Sequence, residues 1–310
     1  MANVVHLHKS NATNSLSEVK KELEKFLHGK EKLAEAILCS VLAEGHLLFE
    51  DIPGVGKTTL IKALSQWLGL SMTRIQCTSD LLPSDILGVE VYQNSKESFV
   101  FQPGPIFSNF VFVDELNRAS PRTQSALLEA MAEGVVTIQK KSYPLPKPFL
   151  IIAAQNPSTQ MGTYALPESQ WDRFSACLSL GYPSEDKEMS ILESSAKDQG
   201  ASSIEALATP EALSEWQRKV NEVTCARRVS AYARRLLDNS RKEFPPGFST
   251  RAGVLWMRMA KARAVLHDRN YVLPDDLIEM AAPSLSHRIP AQDNQGAQRV
   301  QELLQKTPVD

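Results

Sequence analysis

The chain has 310 residues, 43% hydrophobic and 23% charged, which is enough apolar material for one large or two moderate domains and excludes a disordered or fibrous chain. Its formal net charge of −2 provides no positive field to gather DNA or RNA, so nucleic acid is disfavoured as the main partner. Cys39, Cys77, Cys177 and Cys225 lie far apart with neither C-x-x-C nor zinc-ligand spacing. With no secretory leader and no membrane-length apolar run, they read as buried reduced thiols of a cytoplasmic protein.

Residues 1–14 are polar and rich in Asn and Ser, the composition of a mobile tail. Ser15 and Glu18 then make an S-x-x-E capping pattern ahead of Val19, Leu23, Phe26 and Leu27 at helical spacing. From His46 short apolar runs alternate with helical segments: "HLLFE", "NFVFVDE" (Asn109 to Glu115) and "PFLIIAAQN" (Pro148 to Asn156). Runs this continuous predict a parallel sheet covered on both faces. Beyond Tyr182 and Pro183 the chain turns helical, with Leu255, Met259, Ala262 and Leu266 at spacings of four, three and four. Pro245-Pro246-Gly247 should stop one helix, and Pro274-Asp275-Asp276 should start another.

Between the first strand and its helix stands "EDIPGVGKTTL". A phosphate-binding loop points backbone N–H groups at phosphates, sends a lysine to the β and γ groups and gives a hydroxyl to magnesium. Pro53, Gly54, Val55, Gly56, Lys57, Thr58 and Thr59 fit that pattern, with Asp51 where its first glycine belongs. Asp tolerates unusual φ, and Pro53-Gly54 can carry the rest of the turn, so ATP binding is expected to survive the exchange. "FVFVDE" places Asp114 and Glu115 at the carboxyl end of a strand, where open α/β sheets bind ligands. Asp114, with Thr58, would serve Mg2+, and Glu115 would orient or deprotonate water.

Together "DIPGVGKTTL", "VFVDELNRASPRTQSALLEAMAEG", "AAQNP", "LPESQWDRF" and "GFSTRAG" resemble the MoxR family of AAA+ ATPases, in order from about Leu27 to about His287. The resemblance implies an αβα nucleotide-binding core followed by an all-α lid, assembled into a homo-oligomeric ring, commonly a hexamer, with active sites between neighbours. It places Asn156 at the sensor 1 position, Arg173 as an arginine finger for the neighbouring subunit, and Arg251 as sensor 2 at the start of a lid helix. Two departures, "GFSTRAG" for the usual "GASPRA" and Trp171 for Leu, affect lid geometry and packing rather than charged groups. The implied boundaries are a core over 15–182, with a helix 2 insert at about 79–107 and a hairpin at about 135–149, and a lid over 183–310. The insert would project toward partners or the ring pore.

The implied activity is ATP hydrolysis that remodels or matures a protein client. By resemblance that client is a partner with a von Willebrand factor A domain or an enzyme needing cofactor or metal insertion. Two alternatives stay open: a motor acting on nucleic acid, which would need a basic surface, and a nucleotide-switched assembly scaffold, which could dispense with Glu115. Arg227, Arg228, Arg234, Arg235, Arg241 and Lys242 repeat every seven residues and read as a solvated basic stripe, with the first pair placed ahead of the helix.

Overall fold

The structure is a computed structural model that describes residues 13–156, 162–182, 188–189, 205–289 and 295–309. The expected tail lies outside these residues up to position 12, as does the start of the expected lid at 183–187. Asn14, by contrast, is anchored: its N–H donates to the Leu207 carbonyl at 2.9 Å, and its Oδ1 accepts from Thr209 N.

Helix α1 (Leu16–Leu27) starts where the capping pattern predicts, with Ser15 Oγ accepting from Glu18 N, and it buries Val19, Leu23 and Leu27. After α2 (Glu31–Leu42) come β1 (Leu47–Glu50), α3 (Lys57–Trp67), β2 (Met72–Gln76) and the short α4 (Pro83–Leu87). A hairpin of β3 (Gly88–Gln93) and β4 (Ser98–Pro103) precedes β5 (Phe110–Asp114) and α5 (Pro121–Glu133). A second hairpin, β6 (Val135–Ile138) with β7 (Lys141–Pro144), leads to β8 (Leu150–Gln155), α6 (Glu168–Trp171) and β9 (Ala176–Leu178).

The main sheet has the order β2-β5-β8-β1-β9, and every neighbouring pair is parallel. Alternate residues serve its two faces, as a strand period of two requires. Leu47, Phe49, Phe110, Phe112 and Ile152 join the core beneath α1, α2 and α3, whereas Leu48, Val111, Val113, Ile151 and Ala153 join Leu127, Leu128 and Met131 of α5. Being covered on both sides is what makes these strands continuous apolar runs.

The two hairpins pack on each other. Phe101 stacks on Tyr143 with ring centroids 3.9 Å apart, and the Tyr143 hydroxyl donates to Glu90 Oε1 at 3.3 Å. The second hairpin pairs Val135 to Pro144 and turns through Gln139 and Lys140, both with positive φ. Val89, Val91, Tyr92 and Phe99 of the first remain exposed.

Beyond β9 the described residues include the helices α7 (Pro210–Glu222), α8 (Arg227–Glu243), α9 (Thr250–Leu266), α10 (Pro274–Leu285) and α11 (Gly296–Gln305). The first arginine pair belongs to α8 rather than preceding it, because Ala226 is the cap and Arg227 the first helical residue. Trp256, fully buried, donates its indole N–H to the Leu277 carbonyl at 2.8 Å and ties α9 to α10. Asp276 has a fully buried side chain that accepts from Arg263 and Arg269. With Glu35 of α2 beside Arg263, this ionic cluster bridges the helical layer to the first helices.

Candidate functional site

The loop between β1 and α3 bends through Gly54 (φ +86°) and Gly56 (φ +89°), the latter capping α3. A side chain would meet no atom within 4 Å at either position, so what demands glycine is the left-handed backbone alone. This arrangement presents the unpaired first N–H groups of α3 and the positive end of its dipole to the loop, a ready anion site. Lys57 is buried, and its Nζ donates to the carbonyls of Asp51 at 3.0 Å and Ile52 at 3.1 Å. Burial lowers its pKa from the usual lysine range, while Asp51, Asp114 and Glu115 oppose that shift. Thr58 and Thr59 follow in the first turn of α3.

Asp51 corrects the expectation that it stands in for a glycine by tolerating unusual φ. Its φ is not positive. It is buried, and its carboxylate accepts three hydrogen bonds from the segment just after β9: Ser179 Oγ at 2.6 Å, Leu180 N at 2.7 Å and Gly181 N at 3.1 Å. Lys30 secures the same segment from the other side by donating to the carbonyls of Leu180 and Tyr182. Beside it opens a cleft of about 540 Å³ lined by Gly29, Lys30, Leu33, Leu180 and Gly181 among others.

At the carboxyl end of β5, Arg74 of the edge strand β2 pairs with Asp114 Oδ2 at 2.6 Å. Glu115 follows in left-handed backbone, φ 53°, a conformation that costs a non-glycine residue about 1–3 kcal/mol and is typical of functional turns. Its carboxylate is held from three directions. Gln76 Nε2 donates to Oε2 at 2.9 Å, Arg118 Nε lies 3.2 Å from the same oxygen, and Asn156 Nδ2 donates to Oε1 at 3.4 Å. Asn156 is in turn fixed at its carbonyl by Asn117 Nδ2 at 2.9 Å. A carboxylate with fixed orientation, a lysine and a helix N-terminus thus converge at one end of the sheet.

Arg173 and Arg251 stand apart from that group. Arg173 does not pair with the adjacent Asp172; its guanidinium donates to the Leu128 carbonyl of α5 at 2.5 Å, and its Nε is buried without a partner. Asp172 instead accepts from Arg288 Nε at 2.8 Å and Ser249 Oγ at 2.7 Å. Ser249 caps α9, on which Arg251 is exposed. Of the two departures noted in the sequence, Trp171 packs beside His287, and Phe248 is buried against Phe244. Gln76, Arg74 and Asn117, together with the bonding role of Asp51, join the site beyond the residues its sequence motifs mark. The polar residues closing "MTRIQ" were the available signal for the first two.

Among the described residues no group of three or more His, Cys, Asp or Glu side chains could hold a metal, and no helix is long and apolar enough to cross a membrane. Residues 46–176 match the ATPase family associated with various cellular activities (AAA), and residues 242–307 match the AAA lid domain. The protein YeaC of Bacillus subtilis is 41% identical over 88% of this chain and 86% of its own. The chaperone MoxR1 of Mycobacterium tuberculosis is 35% identical over 86% of this chain and 74% of its own. The crystal structure of a candidate ATPase from Cytophaga hutchinsonii superposes with a TM-score of 0.85 at 34% identity, covering 96% of both chains.

Proposed function

The chain belongs to the MoxR family of AAA+ ATPases, and from that premise we propose that it hydrolyses ATP with Mg2+ at sites shared between subunits of a homo-oligomeric ring, commonly a hexamer, to remodel a protein client. We take residues 15–182 as the core and 183–310 as the lid.

Pro53 shapes the turn, and the N–H groups of Gly54, Val55 and Gly56, continuing into the first turn of α3 at Thr59, receive the phosphates. Lys57 exchanges its two carbonyl partners for β- and γ-phosphate oxygens, a favourable trade because a buried ammonium gains a full opposite charge. Thr58 with Asp114 would hold Mg2+, which would supply charge neutralisation to the phosphates. A lone carboxylate and a hydroxyl suit Mg2+, which binds mainly through water and phosphate oxygens. The purine would occupy the cleft beside Leu180 and Gly181.

Glu115 orients water and accepts its proton, and Asn156 holds that water or the γ-phosphate. Arg173 leaves the Leu128 carbonyl and reaches the neighbour's γ-phosphate, where a guanidinium stabilises charge as the bond to the leaving oxygen breaks. Arg251 reads the nucleotide from α9. The observation that carries this reading is the gathering of Gln76, Asn156 and Arg118 on the Glu115 carboxylate beside the loop of Lys57. Glu115→Gln should keep ATP binding and lose about a thousandfold in turnover. Turnover at the wild-type rate would remove Glu115 from the chemistry.

The relative from Mycobacterium tuberculosis carries the name chaperone, which supports a protein client. A von Willebrand factor A domain partner, or an enzyme awaiting a cofactor or metal, is the form we propose, in the cytoplasm. A pull-down with the ATP-trapped Glu115→Gln protein would retain it. A nucleic-acid motor is disfavoured by the stripe on α8, where Asp238 lies 3.5 Å from Arg234 and 3.1 Å from Arg241.

A further inference from the structure

Asp172 joins two parts of the molecule that the reading above uses separately. Its Oδ2 accepts from Ser249 Oγ at 2.7 Å, and that hydroxyl accepts from Ala252 N at 2.9 Å, so one hydroxyl both caps α9 and grips the core. Its Oδ1 accepts from Arg288 Nε at 2.8 Å. Arg288, almost wholly buried, also donates to the carbonyls of Asp172 and Phe174, on either side of Arg173, and to the Ser284 carbonyl at the end of α10. The backbone that carries Arg173 is therefore clasped by Ser249 at the start of α9, which carries Arg251, and by Arg288 in the turn after α10, and the clasp runs through charge-assisted hydrogen bonds. A carboxylate facing the N-terminus of α9 is also favoured by the helix dipole. Arg173 itself is attached to the core through the Leu128 carbonyl only at its guanidinium, with Nε unsatisfied, which leaves it free to leave.

We propose that Asp172 is a positioning residue that couples the lid to Arg173. When α9 moves with the nucleotide in its own subunit, Ser249 and Arg288 move the backbone at 172–174 and so set how far Arg173 reaches into the neighbour. Each subunit's nucleotide state then governs hydrolysis next door. The inference rests on Arg173 acting on the neighbouring subunit, as proposed above.

The test is complementation in mixed rings, with subunit exchange confirmed by fluorescence transfer. Asp172→Asn keeps shape but removes the charge, and it puts an amide donor against either Ser249 or Arg288. Alone it should lower kcat about tenfold or more while KM and the ATP dissociation constant stay within about twofold. Mixed with Glu115→Gln it should regain activity, because the Asp172→Asn subunit keeps its own intact site and receives a well-placed Arg173. Mixed with Arg173→Ala it should gain nothing over the Asp172→Asn protein alone, because neither subunit offers a good finger. The reverse pattern, rescue by Arg173→Ala and none by Glu115→Gln, would show that Asp172 serves only its own site and would overturn the inference.

The mixture of Glu115→Gln with Arg173→Ala separates the two failures. If it regains activity, the shared site stands and the Asp172 results judge the coupling alone; if it does not, the shared site falls and the coupling falls with it. Should Asp172→Asn fail to fold, Ser249→Gly serves instead. It removes the hydroxyl that grips Asp172, while glycine is well tolerated at a helix N-cap. It should give the same complementation pattern, and Ser249→Thr should behave as wild type.

Discussion

Replacing Asp51 with glycine would restore the usual loop pattern and should nevertheless weaken the protein. The substitution removes two acceptor oxygens, and with them three hydrogen bonds, from the segment after β9. Leu180 N is buried, so losing its partner should cost about 1–3 kcal/mol, the penalty for an orphaned buried donor. Ser179 is exposed and Gly181 partly so; their groups can return to water and lose about 1 kcal/mol each, the excess of a charged hydrogen bond over a hydrated one. The expected total is about 3–5 kcal/mol. Asp51→Asn keeps one acceptor oxygen and should lose about half of that. Because the carboxylate holds the wall of the purine cleft at residues 179–181 and leaves the phosphate loop unbonded, the phosphate grip should stay and ATP affinity should fall by no more than about tenfold, or roughly 1.4 kcal/mol. Hydrogen exchange at the Leu180 and Gly181 amides, beside urea denaturation, reads the effect where it arises. Unchanged protection of Leu180 in Asp51→Gly would refute the assignment, as would a loss in ATP affinity beyond a hundredfold with stability intact.

Lys57→Ala should weaken ATP binding by about a hundredfold or more, roughly 2.7 kcal/mol, in titration with a fluorescent analogue; an unchanged dissociation constant would sink the loop assignment. His46 accepts from Ile151 N at Nδ1 and donates from Nε2 to the Met131 carbonyl, so the ring is neutral in the fold, and burial lowers its pKa from 6.5 to about 4. The unfolded chain then binds the extra proton between pH 6.5 and 4, and stability should fall as pH drops through that window. His46 is half-buried as a residue, so solvent screening keeps the loss to at most about 3 kcal/mol. His46→Gln, which can repeat both hydrogen bonds, should flatten this acid limb in denaturation curves without abolishing it, because burial also lowers the pKa of His287. Asp276→Ala should destabilise by about 3–5 kcal/mol by stranding two largely buried guanidinium groups, seen as a lower denaturation midpoint; a shift below about 1 kcal/mol would show that water replaces the carboxylate.

The three strands read from the sequence are those buried on both faces, where a parallel sheet demands unbroken apolar text. The other two escaped for different reasons. β2 is an edge strand, so "MTRIQ" alternates and carries Arg74 and Gln76 toward the site. β9 has three residues, too few for any period. Gly54, Gly56 and Lys57 were legible because a phosphate loop is a local object. Asp51 was not, because its partners lie 128 to 130 positions away in the chain. Asp172 hid for the same reason: its bonds reach 77 residues to Ser249 and 116 to Arg288, and the text around it shows only an acid beside an arginine. Trp256 is fully buried in the helical layer, yet it stands one residue beside Leu255, outside the four-three-four spacing that marks α9 in the sequence.

Specific ATPase activity measured against protein concentration, with assembly followed by light scattering on the same samples, tests the shared site most directly. A site completed by a neighbour's Arg173 predicts negligible turnover per chain in the dilute monomer, rising together with assembly to a plateau. Constant specific activity down to concentrations where the protein is wholly monomeric would contradict it and place the complete active site within one chain.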